Sequence, residues 1–214
     1  MPTGDTEGSA QIIRAILFDL DGVLIDARRW HFDALNEALA AHGHPPIAEF
    51  HKYDGLPTRV KLEMLGIPES ERAAISADKQ RATLRLIHAR AEPNIVHQAC
   101  LARLRVDGYR IGICSNAVRA TVYASMWRTG LAKLVDLVLS NDEVTHTKPD
   151  PEIYHKALAC LRLRPTEALV VEDNDVGVRA AEAAGIPVLR VYGVMGVSYQ
   201  SVMRRVREAE RAVA

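Results

Sequence analysis

The sequence predicts an α/β protein, in which helices cover both faces of a parallel sheet and an all-helical cap is inserted after the first strand. From Ile95 onward, short apolar runs alternate with helical stretches. This alternation is typical of a parallel sheet covered by helices. Residues 27–92 instead show helical periodicity and no convincing strand. We therefore predict a flexible tail (1–11), a Rossmann-like core (12–26 and 93–214) and a helical cap (27–92).

The core elements follow from apolar runs and helix-ending glycines. The first strand is the apolar run 12–18, and the helices that follow the cap end near Gly108, Gly130 and Gly185. Asp150 and Pro151 open a further helix, with Asp as the cap and Pro in the first turn. The predicted order is helix 96–105, strand 110–114, helix 119–128, strand 135–139, the helix opened at 150, strand 168–171, helix 176–184 and strand 187–191.

The cap is predicted from one clear amphipathic helix and two further helical stretches. Residues 30–42 place Leu35, Ala38, Leu39 and His42 on one face, and Gly43 ends this helix. Helical periodicity continues over 62–65 and 75–91, and Pro93 with the residue after it marks the return to the core.

Composition excludes several classes of function. The net formal charge of +0 gives no basic field to attract nucleic acid, and no apolar stretch reaches the ~20 residues that span a bilayer. The first ten residues lack the apolar segment of a signal peptide, so we expect a cytoplasmic protein. The three cysteines are far apart in apolar surroundings, and we expect reduced, buried thiols at Cys100, Cys114 and Cys160.

Polar side chains follow the predicted strands at the points where those strands end. Two carboxylates one residue apart, at Asp19 and Asp21, are costly unless a cation or a proton is shared between them. The carboxyl ends of parallel strands meet at one edge of a sheet, where ligands bind. Carboxylates suit Mg²⁺, and Lys and Ser donors match phosphate oxygens. The other polar residues at this edge are Ser115, Asn116, Lys148, Glu172, Asp173, Asn174 and Asp175.

These residues form four motifs, and together the motifs resemble those of the haloacid dehalogenase superfamily, which consists mostly of phosphatases. The resemblance extends from about Ile12 to Val191. One such motif is common by chance, but four in the right order and strand context are specific. The motifs are the run from Asp19 to Asp26, the pair Ser115-Asn116, the pair Lys148-Pro149 and the run from Glu172 to Gly177.

The resemblance implies a role for each motif residue. Asp19 would attack phosphorus and form an aspartyl-phosphate, and Asp21 would act as general acid and then as general base. Ser115 would donate to a phosphoryl oxygen, and Lys148 would neutralise charge beside Asp19. The metal ligands implied for Mg²⁺ are Asp19, Asp21 through its backbone carbonyl, Asp173, and Glu172 directly or through water.

The resemblance also assigns residues outside the reacting centre. Dehalogenating members lack the second carboxylate, so Asp21 favours phosphoryl chemistry over carbon–halogen cleavage. The insert matches a helical cap that selects the substrate. Candidate substrate-binding residues are Asn116 in the core and His31, Arg59 and Lys79 in the cap, whereas Arg28, Arg29 and Arg119 are interpreted as ordinary surface residues.

Three functions remain open at this stage. The first is a phosphatase acting on a small phosphorylated metabolite, with sugar phosphates foremost. The second is a phosphosugar mutase resembling β-phosphoglucomutase; Ala27, where a Thr or Ser is usual, and Asn116 fit the phosphatase members better. The third is a catalytically silent binding protein on the same scaffold, which the intact acidic motifs disfavour. The sequence leaves the substrate and the oligomeric state open.

Overall fold

The fold is built on a five-stranded, all-parallel sheet, as predicted. The computed structural model describes residues 13–212, so the predicted tail 1–11 lies outside the described residues. The strand order is β3-β2-β1-β4-β5. The strands are β1 (Ala15–Phe18), β2 (Arg110–Cys114), β3 (Leu137–Leu139), β4 (Ala168–Glu172) and β5 (Val188–Arg190).

Within the described residues, eight α-helices surround or follow these strands, and three of them lie in the inserted segment 27–92. Those three are α1 (Arg28–Ala41), α2 (Thr58–Met64) and α3 (Glu69–Arg90). The other helices are α4 (Ile95–Val106), α5 (Arg119–Arg128), α6 (Glu152–Leu161), α7 (Asp175–Ala183) and α8 (Tyr199–Arg211).

The central strand β1 directs its side chains alternately to two hydrophobic clusters. Ile16 and Phe18 belong to the cluster that contains residues of α4, α5 and α8. Ala15 and Leu17 belong to the cluster that contains residues of α6 and α7. Because neighbouring side chains of a strand point to opposite faces, β1 is buried on both sides and reads as a continuous apolar run.

The inserted helices have a hydrophobic cluster of their own. Leu35 and Leu39 of α1 pack with Leu62 of α2 and Ile75 of α3. Trp30 of α1 does not belong to this cluster, because its side chain packs against the core cluster that contains residues of α4. The segment 27–92 thus forms a helical layer with its own hydrophobic cluster, and it contacts the rest of the protein through the first turn of α1 and through α3, which packs against α5.

The structure corrects two sequence-based expectations outside the site. Cys160 was expected to be buried but is exposed on α6, while Cys100 and Cys114 are buried; all three thiols are free. The helix α8 was not predicted, although Val202, Val206 and Ala209 bury one of its faces. Within residues 13–212, none of the helices combines the length and apolarity needed to cross a membrane.

We predict that α8 contributes measurably to stability. Val202 is fully buried against the core cluster, so Val202→Ala removes apolar volume there. The expected loss is about 2 kcal/mol in the free energy of unfolding, from lost transfer energy plus a residual cavity. Urea unfolding of this variant measures it, with Arg207→Ala on the exposed face of the same helix as control. Equal stability of both variants would show that α8 does not support the core.

Candidate active site

The site lies at the carboxyl edge of the sheet and is centred on Asp19. Asp19 directly follows β1, which is paired on one side with β2 and on the other with β4. Ser115 directly follows β2, and Asp173 directly follows β4. The register aligns Phe18 with Ile113 and Val171, so these strand ends bring the three polar side chains to one place.

The ammonium group of Lys148 connects the residues of this edge. Its Nζ donates to Asp19 Oδ1 at 2.9 Å, to the Cys114 carbonyl oxygen at 2.7 Å and to Glu172 Oε1 at 2.5 Å. All three ammonium hydrogens are therefore used. Burial lowers the pKa of Lys148, but the two carboxylates outweigh burial and hold that pKa above its ordinary value. Lys148 thus remains a cation beside Asp19.

Glu172 is completely buried, and the protein holds one of its two carboxylate oxygens firmly. Glu172 Oε1 accepts hydrogen bonds from Lys148 and from the hydroxyl of Tyr154 at 2.7 Å. A Cβ atom at Gly177 would lie 2.0 Å from the same oxygen, so only glycine leaves room for the carboxylate there. This close approach explains the glycine of the fourth motif.

Three carboxylates lie close enough together to hold a divalent cation. Asp19, Glu172 and Asp173 each place one oxygen so that the three atoms lie within 4.8 Å of one another. Glu172 Oε2, Asp173 Oδ2 and Asp21 Oδ1 are buried without a hydrogen-bond partner among the described residues. Burial, followed by the charge of Glu172, raises the pKa of Asp173 to about 6. Buried carboxylate oxygens that accept no hydrogen bond fit a hard cation such as Mg²⁺.

Arg28 corrects a sequence-based interpretation. It was assigned to the surface, but its Nη1 lies 3.4 Å from Asp173 Oδ2 and 3.6 Å from Asp54 Oδ2. Gly22 allows this approach, because a Cβ there would lie 2.1 Å from Asp173 Oδ2 and 3.3 Å from Arg28 Nε. Arg28 begins α1 and matches no motif, so no signal in the sequence distinguished it from Arg29.

Asp21 is connected to the inserted helices by a chain of hydrogen-bonded side chains. His31 Nε2 lies 3.1 Å from Asp21 Oδ2, and Lys79 Nζ lies 3.1 Å from His31 Nδ1. Burial, followed by the charge of Lys79, lowers the pKa of His31, which favours a neutral ring that donates to Asp21 and accepts from Lys79. Although burial raises the pKa of Asp21, His31 and Lys79 lower it overall. Of the predicted substrate-binding residues, His31 therefore contacts the predicted acid–base residue directly, and Lys79 is connected to it through His31.

The two residues of the predicted pair Ser115-Asn116 make different kinds of contact. Ser115 is buried, and its Oγ accepts from the amide nitrogen of Ala117 at 3.1 Å, so its hydroxyl hydrogen is free to donate. The Asn116 side chain bonds only to backbone: Nδ2 lies 3.0 Å from the Gly55 carbonyl oxygen, and Oδ1 accepts from the Lys148 amide nitrogen at 3.0 Å.

A cavity of about 500 Å³ lies above Asp19, between the sheet edge and the inserted helices. Asp19, Asp21, Ser115 and Lys148 line its core side. Four basic side chains line it from the insert, namely Arg28, Arg59, Lys61 and Lys79. Sequence analysis did not identify Lys61, because this residue belongs to no motif. Burial of its side chain lowers the pKa of Lys61 below its ordinary value. The cavity is thus acidic below, basic above and large enough for a small phosphorylated molecule.

Comparison with known proteins identifies the family. The sequence profile of the haloacid dehalogenase-like hydrolases matches residues 16–191, and the chain belongs to this family. It is 28% identical over 191 residues to a phosphorylated carbohydrates phosphatase of Thermotoga maritima, covering 86% of each chain. It is 32% identical over 194 residues to a plasmid phosphoglycolate phosphatase of Cupriavidus necator, covering 85% of this chain and 82% of the relative.

The fold is shared with a β-phosphoglucomutase from Clostridium difficile. That crystal structure superimposes with a TM-score of 0.80 at 19% identity, covering 92% of this chain and 98% of the other. The family and its phosphatase-named relatives establish the class of activity: the chain is a phosphoric monoester hydrolase of haloacid dehalogenase type. The resemblance inferred from the four motifs is thereby confirmed.

We predict that Lys79 makes stability depend on pH in a defined window. Burial, followed by the charge of Lys61, lowers the pKa of Lys79 from 10.5 to about 7. Between these two pH values the unfolded chain binds more protons than the folded chain, so the free energy of unfolding rises with pH there. Lys79→Met cannot titrate and should show a smaller rise.

Urea unfolding at several pH values below and within this window measures the effect. Lys133→Met, at an exposed position, controls for the loss of one positive charge. If Lys79→Met and the wild type show the same pH slope, Lys79 does not titrate in the window and the interpretation of the hydrogen-bonded chain is wrong.

Proposed function

We propose that this protein is a magnesium-dependent phosphatase that hydrolyses a small phosphorylated metabolite, most naturally a sugar phosphate, through an aspartyl-phosphate on Asp19. The observation that carries the proposal is the pairing of Asp19 with Lys148 at 2.9 Å beneath the cavity. A carboxylate nucleophile approaching a phosphate needs a fixed cation beside it, and Lys148 cannot move without losing three hydrogen bonds.

The first half-reaction would form the bond between Asp19 and phosphorus. A carboxylate oxygen of Asp19 attacks phosphorus in line with the leaving oxygen, whose bond to phosphorus breaks, while Asp21 transfers a proton to that oxygen. The Lys148 ammonium, whose three hydrogens are bonded within the protein, neutralises charge beside Asp19, and the Ser115 hydroxyl donates to a phosphoryl oxygen. The negative charge of a bound phosphate raises the pKa of a nearby carboxyl, which favours the protonated form of Asp21 for this step.

The second half-reaction would release inorganic phosphate. Asp21 removes a proton from a water molecule, whose oxygen attacks phosphorus as the bond to Asp19 breaks. The hydrogen bond from His31 keeps the Asp21 carboxylate oriented for this proton transfer. Mg²⁺, held by Asp19, Asp173, the Asp21 carbonyl and directly or indirectly Glu172, would supply charge neutralisation for the phosphoryl group.

The inserted helices would act as a cap that selects the substrate and excludes water. In support, His31, Arg59 and Lys79 reach the cavity from the insert, while the reacting carboxylates belong to the core. The phosphatase-named relatives support hydrolysis of small phosphorylated compounds, including carbohydrates and phosphoglycolate. A cytoplasmic location remains a prediction from the sequence.

A phosphosugar mutase is the second candidate, and the contact of His31 with Asp21, supported by the hydrogen bond between Lys79 and His31, favours it. An acid–base residue oriented by the insert can be kept from water until a sugar phosphate is bound. The same Asp19 would then return its phosphoryl group to the sugar rather than to water.

We predict that Asp19→Asn abolishes phosphatase activity and leaves the fold intact. The amide is nearly isosteric but is neither a nucleophile nor an anionic ligand, and Lys148 keeps Glu172 as a partner. Initial rates with an aryl phosphate and with a panel of phosphorylated metabolites measure the loss, and circular dichroism checks the fold. Asp26→Asn is the matched control, because Asp26 lies in the same motif but is exposed.

A second experiment tests whether turnover by the wild type depends on a divalent cation. Removal of divalent cations from the wild type should stop turnover, and added Mg²⁺ should restore it. Turnover by Asp19→Asn above a few per cent of wild type would contradict the nucleophile assignment, and full wild-type activity in excess chelator would contradict the metal site.

We predict that phosphate release outpaces isomerisation. Ala27 lacks the hydroxyl usual in mutases, and Asn116 stands in a phosphatase-like motif. The measurement supplies β-glucose 1-phosphate with a trace of the 1,6-bisphosphate and follows inorganic phosphate and glucose 6-phosphate together. Formation of glucose 6-phosphate faster than phosphate would replace the phosphatase proposal with the mutase.

A further inference from the structure

We propose that Asn116 is a positioning residue that couples closure of the insert loop 54–57 to the placement of Lys148; the inference rests on the proposed function of Lys148. The Asn116 side chain makes three hydrogen bonds, all to backbone. Nδ2 donates to the carbonyl oxygens of Gly55 at 3.0 Å and Lys148 at 3.2 Å, and Oδ1 accepts from the Lys148 amide nitrogen at 3.0 Å.

The orientation of this amide follows from its partners. The Lys148 backbone nitrogen is a donor, so it must face Oδ1, and the two carbonyl oxygens must then face Nδ2. Both Nδ2 hydrogens are thereby committed to the protein. This arrangement differs from the substrate contact that the motif predicts for Asn116, because a substrate would have to displace a backbone acceptor.

On the core side, Asn116 fixes the residue that carries the ammonium group. It bonds both the nitrogen and the carbonyl oxygen of Lys148, whose Nζ lies 2.9 Å from Asp19 Oδ1. Asn116 is itself held in place, since its carbonyl oxygen accepts from Asn141 Nδ2 at 3.0 Å. A small shift of the Lys148 backbone would therefore move the cation beside the nucleophile, and misplacement by about 1 Å can cost ~10²-fold in rate.

On the insert side, the loop packs tightly at Gly55. Gly55 has a φ of +71°, and a Cβ there would lie 2.9 Å from Asn174 Oδ1. Asn174 in turn donates to Asp173 Oδ1 at 2.9 Å and accepts from the Gly177 amide at 3.0 Å. Loop 54–57 thus contacts two core asparagines, one that holds Lys148 and one that holds Asp173.

A second contact between insert and core serves as a control, because it is not hydrogen-bonded to Lys148 or Asp173. Gln80 of α3 and Thr121 of α5 exchange hydrogen bonds at 3.0 and 3.2 Å. Neither of these side chains hydrogen-bonds Lys148 or Asp173. If any contact between insert and core served equally well, loss of the Gln80–Thr121 pair would have the same consequences as loss of Asn116.

The first test measures hydrogen exchange of the full-length wild type, Asn116→Ala and Thr121→Val. For Asn116→Ala we expect faster exchange in two separate segments, 53–60 and 145–150, because both lose a shared anchor. For Thr121→Val we expect no increase in 145–150. Faster exchange in only one of the two segments of Asn116→Ala would overturn the coupling.

Asn116→Asp keeps the proposal testable if the alanine variant does not fold. The aspartate retains an acceptor for the Lys148 amide nitrogen but offers no hydrogen to Gly55. Its exchange should therefore rise more in 53–60 than in 145–150, and the reverse order would contradict the proposed division of bonds.

The second test is a double-mutant cycle between Asn116→Ala and Gly55→Ala, read as kcat for a small aryl phosphate. Gly55→Ala adds a Cβ that would lie 2.9 Å from Asn174 Oδ1, so it shifts the loop that carries the Gly55 carbonyl oxygen away from Asn116. Each single change should lower kcat about tenfold, with KM changed less, and the pair should lose little more than either alone because both weaken the hydrogen bond between Gly55 and Asn116. Losses that multiply to about 100-fold would overturn the proposal, whereas Thr121→Val combined with Gly55→Ala should multiply. If the wild type hydrolyses no phosphate ester while exchange rises in both segments, the coupling stands and the proposed function fails.

Discussion

The buried ammonium of Lys148 is the interaction on which the site depends. One cation, bonded to Asp19, Glu172 and the Cys114 carbonyl, compensates carboxylates that would otherwise repel one another in a buried position. Removing one partner from such a cluster is costly, because a charge is left buried without compensation. The surrounding structure accommodates this cluster: the hydroxyl of Tyr154 in α6 donates to Glu172 Oε1, and Gly177 leaves room for the carboxylate at the start of α7.

The topology of the sheet explains why so few contacts suffice to build this centre. The strand β1 is central, and its neighbours β2 and β4 end beside it, so backbone pairing alone aligns Asp19 with Ser115 and Asp173. Lys148 does not follow a strand directly and needs a separate anchor, which the Asn116 amide supplies. A regular sheet thus fixes three polar groups, and one side-chain amide fixes the fourth.

Much of the fold and the core of the site could be predicted from the sequence, because both depend on local patterns. Apolar runs and glycines located β2 and α5 to the residue, and the motifs located Asp19 and Lys148. Arg28 and Lys61 could not be found, because their place depends on how the insert packs over the sheet, which no local pattern encodes. The helix α8 was missed for another reason: its buried valines are few and are separated by charged residues.

The site is divided between two layers with different roles. On the proposed nucleophile side, Asp19 and Lys148 are both core residues, and the insert reaches them only indirectly, through the hydrogen bond between Gly55 and Asn116. The acid–base side is different, since Asp21 is oriented by His31, which Lys79 holds from another inserted helix. Movement of the insert would therefore remove the His31 hydrogen bond from Asp21 directly, whereas Lys148 would lose only one contact of its Asn116 anchor. In the proposed mechanism, such a division would limit proton transfer to the arrangement in which the insert covers the substrate and excludes bulk water.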